Sequence, residues 1–145
     1  MTRNEELCMR FPFLNPEPEN AHFDFGYTIL DSMPSGWRKA FGEQMCEEIC
    51  AALREDEALS QYKIVEIKEK YGCLCWYDHG GTEKTKEIVH KYEGISRKTC
   101  IVCGQPATWL SVGWVEPLCD RCVKPVTLRC DVMPFSVASE EKGES

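Results

Sequence analysis

The sequence predicts an α+β fold. A helix–β-hairpin–helix core is preceded by an irregular N-terminal arm and followed by a C-terminal four-cysteine zinc module of the zinc-ribbon or treble-clef type. Three observations carry this. Apolar residues recur every four positions from Trp37 to Leu53, strand-like runs flank Tyr71-Gly72, and two C-x2-C pairs stand 15 residues apart between Cys103 and Cys119. A length of 145 residues suits one compact domain, or a small domain with a stapled module, and excludes most large enzyme architectures. With 43% hydrophobic and 28% charged residues, the composition is that of a globular chain and not of a disordered or fibrous one.

The arm spans residues 1–33. Phe11-Pro12-Phe13-Leu14-Asn15-Pro16-Glu17-Pro18 holds three prolines, which block a regular helix, and Leu7, Phe11, Phe13, Phe23, Phe25 and Tyr27 are its expected anchors on the domain. The core spans 34–98. Asp31-Ser32-Met33-Pro34 reads as a helix start, and a helix from Pro34 to Glu55 puts Trp37, Phe41, Met45, Ile49 and Leu53 on one face, with Ala40 and Ala52 beside them. Tyr62–Tyr71 and Cys73–Tyr77 form a hairpin that turns at Tyr71-Gly72. Asp78-His79-Gly80-Gly81 ends it, and Thr82 caps a second helix to Arg97 with Ile88, Tyr92 and Ile95 buried.

The zinc module spans 99–130. Cys100, Cys103, Cys119 and Cys122 have the spacing of a structural zinc site, since two residues between cysteines let one tight turn aim both sulfurs at an ion. Ala107–Ser111 and Trp114–Leu118 flank Val112-Gly113, and a hairpin there returns the second pair to the first. Four protein ligands close the coordination sphere, so the one Zn2+ is structural and not catalytic. The other six of the ten cysteines, Cys8, Cys46, Cys50, Cys73, Cys75 and Cys130, are expected to be packing residues, with Cys130 a spectator to the site. On this reading the metal stabilises the last third, leaving about a hundred residues to one modest core and the arm. Residues 131–145 read as a flexible acidic tail.

The N-terminus shows no apolar run of signal-peptide length and the chain no transmembrane span, so the expected address is the reducing cytoplasm, with no membrane partner. The net charge of −7 disfavours phosphate gripping; only residues 61–98 (+8, −6) and 99–130 (+3, −2) are net basic. No phosphate loop, G-x-S-x-G or H-E-x-x-H is present. Asp78-His79 resembles the Asp-His pair of zinc-stapled HNH nucleases, but it precedes both cysteine pairs and lacks the later Asn and His. His79 is more simply a turn residue. The chain therefore reads as a non-enzyme.

Gly36-Trp37-Arg38-Lys39-Ala40-Phe41, Ile67–Tyr77, Thr99–Gly104, Gly113-Trp114-Val115 and Leu118–Cys122 together resemble a set of small, mostly uncharacterised proteins encoded by phages and prophages of gut-type bacteria. The resemblance covers about residues 30–123 and departs at Cys73 and Cys75, where such sequences more often carry glycine or serine and then arginine. It implies a bacterial host's cytoplasm and an accessory role. By analogy, small phage proteins without an enzymatic motif bind and block a host defence protein, as anti-CRISPR proteins do. The expected partner is thus a host protein, with a nucleic-acid-binding effector as the type case.

Glu43, Glu47 and Glu48, continued by Glu55, Asp56 and Glu57, form an acidic helix face that suits a basic partner surface; the plainer alternative is a solvated face. Trp109 and Trp114 are the module's candidate partner-binding residues. In the alternative function, direct nucleic-acid binding by the zinc module, they act with Arg121, Lys124 and Arg129.

Overall fold

In the computed structural model, which describes residues 2–135, the chain opens with a helix rather than an irregular arm. Helix α1 (Arg3–Arg10) is capped by Thr2, whose hydroxyl accepts the Glu5 N–H at 3.2 Å; Glu5 and Glu6 in its first turn and Arg10 in its last complement the helix dipole. The prolines act only after it. Pro12–Leu14 form a 3-10 turn, and three Asx turns follow, in which Asn15, Asn20 and Asp24 each accept the N–H two residues on, at 2.9 Å. Leu7, Phe11 and Phe13 are buried as expected, Phe23 and Phe25 half-buried, and Tyr27 exposed. Phe23 instead packs edge-on against Phe25 and Tyr27 as a local cluster.

A 3-10 turn (Ile29–Ser32) leads to the long helical run, built of α2 (Ser35–Trp37), a π-helical turn (Arg38–Gly42) and α3 (Glu43–Glu55). Pro34 precedes the run as its N-cap residue, while Asp31 caps the preceding turn and pairs with Arg38 at 2.7 Å. Trp37, Phe41, Met45, Ile49 and Leu53 are all buried. In a pure α-helix each four-residue step overshoots a turn by about 40°, so five such residues would fan across about 160°. The wider π turn between Trp37 and Met45 takes out part of that drift and keeps the row on one face.

Strands β1 (Lys63–Lys70) and β2 (Cys73–His79) pair antiparallel, Lys70 opposite Cys73. Tyr71 (φ 53°) and Gly72 (φ 79°) both take left-handed conformations, the requirement of a two-residue type I′ turn. A bulge between Ile64 and Glu66 lets Ile64 and Ile67, three residues apart, both face the core and leaves Val65 outside. Helix α4 (Glu83–Arg97) starts at Thr82 in a reciprocal capping box with Thr85. Its buried face carries Thr85, Tyr92 and Ser96, with Ile88 half-buried, whereas Ile95 is exposed. Ser96 takes the inward place because its hydroxyl accepts the Leu74 N–H of β2 at 2.9 Å.

The last third forms a three-stranded antiparallel sheet in the order β4-β3-β5, from β3 (Trp109–Ser111), β4 (Pro117–Leu118) and β5 (Val132–Pro134), with the short helix α5 (Val123–Val126) between β4 and β5. The β3–β4 hairpin matches the expected one, whereas β5 falls in the stretch that reads as tail. The remainder of that tail, 136–145, lies outside the described residues. Cys100, Ile101, Leu118, Cys119, Val123 and Val126 belong to the same hydrophobic cluster as Leu7, Leu14, Trp37, Met45 and Trp76. Arm, helices and module thus share one core, not the two separately stabilised parts the sequence suggested.

Candidate metal centre

The first cysteine pair sits in a turn sealed by backbone hydrogen bonds: the Cys100 N–H donates to Gln105 O at 2.7 Å and the Gly104 N–H to Cys100 O at 3.0 Å. This turn rests on the start of the long helical run. The Gly36 N–H donates to Ile101 O at 3.0 Å, and the Trp37 indole donates to Thr99 O at 3.0 Å. The approach is close enough to exclude side chains, since a Cβ on Gly36 would stand 2.3 Å from Cys100 O. Gly104, at φ +86°, answers from the other side, where a Cβ would meet Gly36 O at 2.7 Å.

The second pair arises from the sheet. Leu118 pairs with Trp109 at the end of β4, the chain turns through Cys119–Cys122, and the Val123 N–H donates to Cys119 O at 3.0 Å as α5 begins. Inside the turn the Cys122 N–H points at Cys119 Sγ, 3.4 Å away. Asp120 braces this turn from outside by accepting the Thr108 hydroxyl at 2.6 Å and the Trp109 indole N–H at 2.9 Å. One bond joins the two halves directly, from the Ile101 N–H to Pro117 O at 2.9 Å.

The four sulfurs lie within 4.8 Å of one another, and Cys103 Sγ is 3.6 Å from Cys119 Sγ. A thiolate tetrahedron with metal–sulfur bonds of about 2.3 Å has edges of about 3.8 Å, so the cluster fits one tetrahedral ion with little adjustment. Cys100 and Cys119 are buried, Cys103 and Cys122 half-buried. The thiols are unequal as acids. The Gln105 backbone N–H, helped by the neighbouring sulfurs, brings Cys103 down to about 6, while burial and those sulfurs push Cys122 up to about 12. A divalent ion supplies the charge that lets all four ligate as thiolates. Arg121, next to Cys122 in sequence, is held charged by the neighbouring Cys103 and Cys122 sulfurs, which push its pKa up, and sets a cation beside a centre that would carry −2 if filled by a divalent ion.

This is the one such metal-holding group among the described residues, and Cys130 stands outside it. Cys8, Cys46 and Cys50 are buried in the apolar cluster, where burial pushes the Cys46 thiol well up. Cys73 and Cys75 are half-buried on the outer side of β2, Cys73 within 3.7 Å of Glu93 O. His79 is exposed at the end of β2. Asp78 is bound into a structural chain, accepting the Tyr62 hydroxyl at 2.6 Å, which in turn accepts the Trp76 indole N–H at 2.8 Å.

The acidic face of α3 has its counter-charges within the chain. Arg3 and Arg10 pair with Glu43, Arg10 also with Glu47 at 2.5 Å, and Lys91 and Tyr92 bind Glu48. Lys84 holds Glu55 at 2.8 Å and Asp56 at 3.3 Å. These carboxylates clamp α1 and α4 onto α3. Of the module's candidates, Trp109 is tied into the cysteine turn through Asp120, whereas Trp114 is exposed and Arg121, Lys124 and Arg129 have no ion-pair partner among the described residues. Sequence reasoning missed Gly36 and Asp120 as supports of the site; the glycine one residue before a buried tryptophan was the readable signal.

No helix among the described residues is long and apolar enough to cross a membrane. Comparison of the chain with protein-family models, curated proteins and solved structures gives no match.

Proposed function

We propose that this chain is a non-enzymatic binding protein of phage or prophage type, held together by one structural Zn2+, and that it acts in the bacterial cytoplasm by blocking a host protein such as a CRISPR-like defence effector. The observation that carries the reading is the closed four-thiol cluster seated on the core. Thiolates select zinc among the abundant divalent ions, and a sphere filled by protein leaves no position for an activated water. Asp78, the carboxylate of the Asp-His pair, accepts the Tyr62 hydroxyl in a structural chain, which supports the non-enzymatic reading over nuclease chemistry. Direct nucleic-acid binding is the second reading, supported by Trp114, Lys124 and Arg129 alone.

Nuclease-treated host lysate passed over immobilised zinc-loaded protein tests this. The expected result is stoichiometric retention of one host protein, followed by loss of that protein's activity when the purified pair is mixed. Retention that vanishes with nuclease treatment would transfer the function to nucleic-acid binding, and no retention at all would overturn the inhibitory reading.

A further inference from the structure

Two exposed aromatic residues stand on two turns that touch. Tyr71, at the β1–β2 turn, is 75% exposed, and Trp114, in the β3–β4 turn, is 71% exposed. The turns touch, since a Cβ on Gly72 would stand 3.2 Å from Val115 Cγ1 and 3.3 Å from the Val115 carbonyl oxygen. With consecutive Cα atoms 3.8 Å apart, the backbone positions of Tyr71 and Trp114 lie within about 15 Å of each other. Tyr71 sits at φ +53°, a conformation in which asparagine or glycine would be less strained than a bulky ring. The ring is therefore kept at this tip against the preference of its own backbone.

The charges around the seam differ from those of α3. Glu69, whose carboxylate accepts the Gly72 N–H at 3.2 Å, Glu116 in the β3–β4 turn, and Asp131, whose carbonyl accepts the Val112 N–H, form no ion pair among the described residues. Within 69–73 and 112–116 the one basic residue is Lys70, 6.0 Å from the Tyr71 ring centre, against Glu69 and Glu116. Exposed aromatic rings on turns that carry carboxylates without ion-pair partners, on a chain of net charge −7, match a guanidinium group, which is planar, permanently charged and weakly hydrated. The same charges repel a polyanion.

We propose that the seam between the two hairpin tips docks an arginine-rich segment of the partner protein, with guanidinium groups lying over Tyr71 and Trp114. This rests on the protein-binding reading above. The test uses the zinc-loaded full chain, titrated separately with an octa-arginine peptide and with an oligo-dT of matching charge. Octa-arginine is expected to bind, and Trp114→Ala and Tyr71→Asn each to weaken it at least tenfold, while Glu19→Gln on the remote arm changes it less than twofold. Tyr71→Asn suits the turn better than tyrosine, so loss of binding in a variant with unchanged zinc content and undiminished melting temperature cannot be laid to misfolding. Octa-arginine binding that ignores both aromatic substitutions would show attraction by net charge alone and overturn the proposal, as would preferential binding of oligo-dT. A host protein retained equally by wild type and the double variant would overturn the docking site and leave the inhibitory reading standing.

Discussion

The two cysteine pairs reach the same metal centre by different routes. Cys100 and Cys103 sit in a turn pressed onto the helical run, with Gly36, Trp37 and Ile101 in direct backbone or indole contact. Cys119 and Cys122 are carried by a two-residue strand and a four-residue helix, and their outer brace is Asp120 on Thr108 and Trp109. The first half is thus seated on the helical run by backbone and indole bonds, while the second is seated by its sheet pairing, its brace and the burial of Leu118, Cys119, Val123 and Val126 in the same core. Because both halves sit in one core, an ion held by all four sulfurs would couple its binding to the packing of the whole chain.

Cutting the tie at its strongest point gives the largest effect. Cys100→Ser is expected to lose the metal and at least about 3 kcal/mol of stability, whereas Cys46→Ser, at a site equally buried but remote from the centre, keeps stoichiometric metal and loses about 1–3 kcal/mol for burying a hydroxyl. Metal content by mass spectrometry and denaturant unfolding separate the two. Next, Gly36→Ala tests the seat of the first turn. Helix propensity alone favours alanine by about 1 kcal/mol. Because the new Cβ meets the Cys100 carbonyl, we expect destabilisation by about 1–3 kcal/mol and weaker metal retention against a chelator. A more stable Gly36→Ala protein would show that the turn does not rest on the helix.

Trp37→Phe sharpens the same contrast with a smaller change. It removes the indole bond to Thr99 O and part of a fully buried ring, for an expected cost of about 1–2 kcal/mol with the metal still bound. The smallest effect belongs to the acidic face. Burial pulls the Glu48 carboxyl up, but hydrogen bonds from Lys91 and Tyr92 and the Lys91 charge outweigh it and hold the group below its ordinary range. A depressed folded-state pKa stabilises above the unfolded value and is lost as the pH falls through the folded one. Glu48→Gln should therefore cost less than about 1 kcal/mol at pH 7, with the difference from wild type closing below about pH 4 in melting experiments.

Features set by local chemistry were readable from the sequence. The C-x2-C spacing, the Tyr71-Gly72 turn, the Thr82 cap and the row from Trp37 to Leu53 all depend on residues within a few positions of each other. Features set at long range were not. Helix α1 has eight residues, too few to be stable alone, and is held by Arg3 and Arg10 reaching carboxylates more than thirty positions away. The acidic face read as free because Lys84 and Lys91, on the far side of the hairpin, gave no sign of pairing with it. The bulge beside Val65 and the pairing of Val132–Pro134 with β3 likewise follow from tertiary packing. The spacing of four in the helical row did hold a trace of the π turn, since a regular α-helix does not keep such a row straight.

Sulfurs seated in a shared core would make a bound metal a constraint on the whole chain, and amide hydrogen exchange with and without a chelator tests that most directly. Removing the metal is predicted to lower protection in α3 and in the β1–β2 hairpin together with Cys100–Cys122, as parts of one cooperative unit. Loss of protection confined to residues 99–135, with α3 and the hairpin unchanged, would contradict it and restore an independent module.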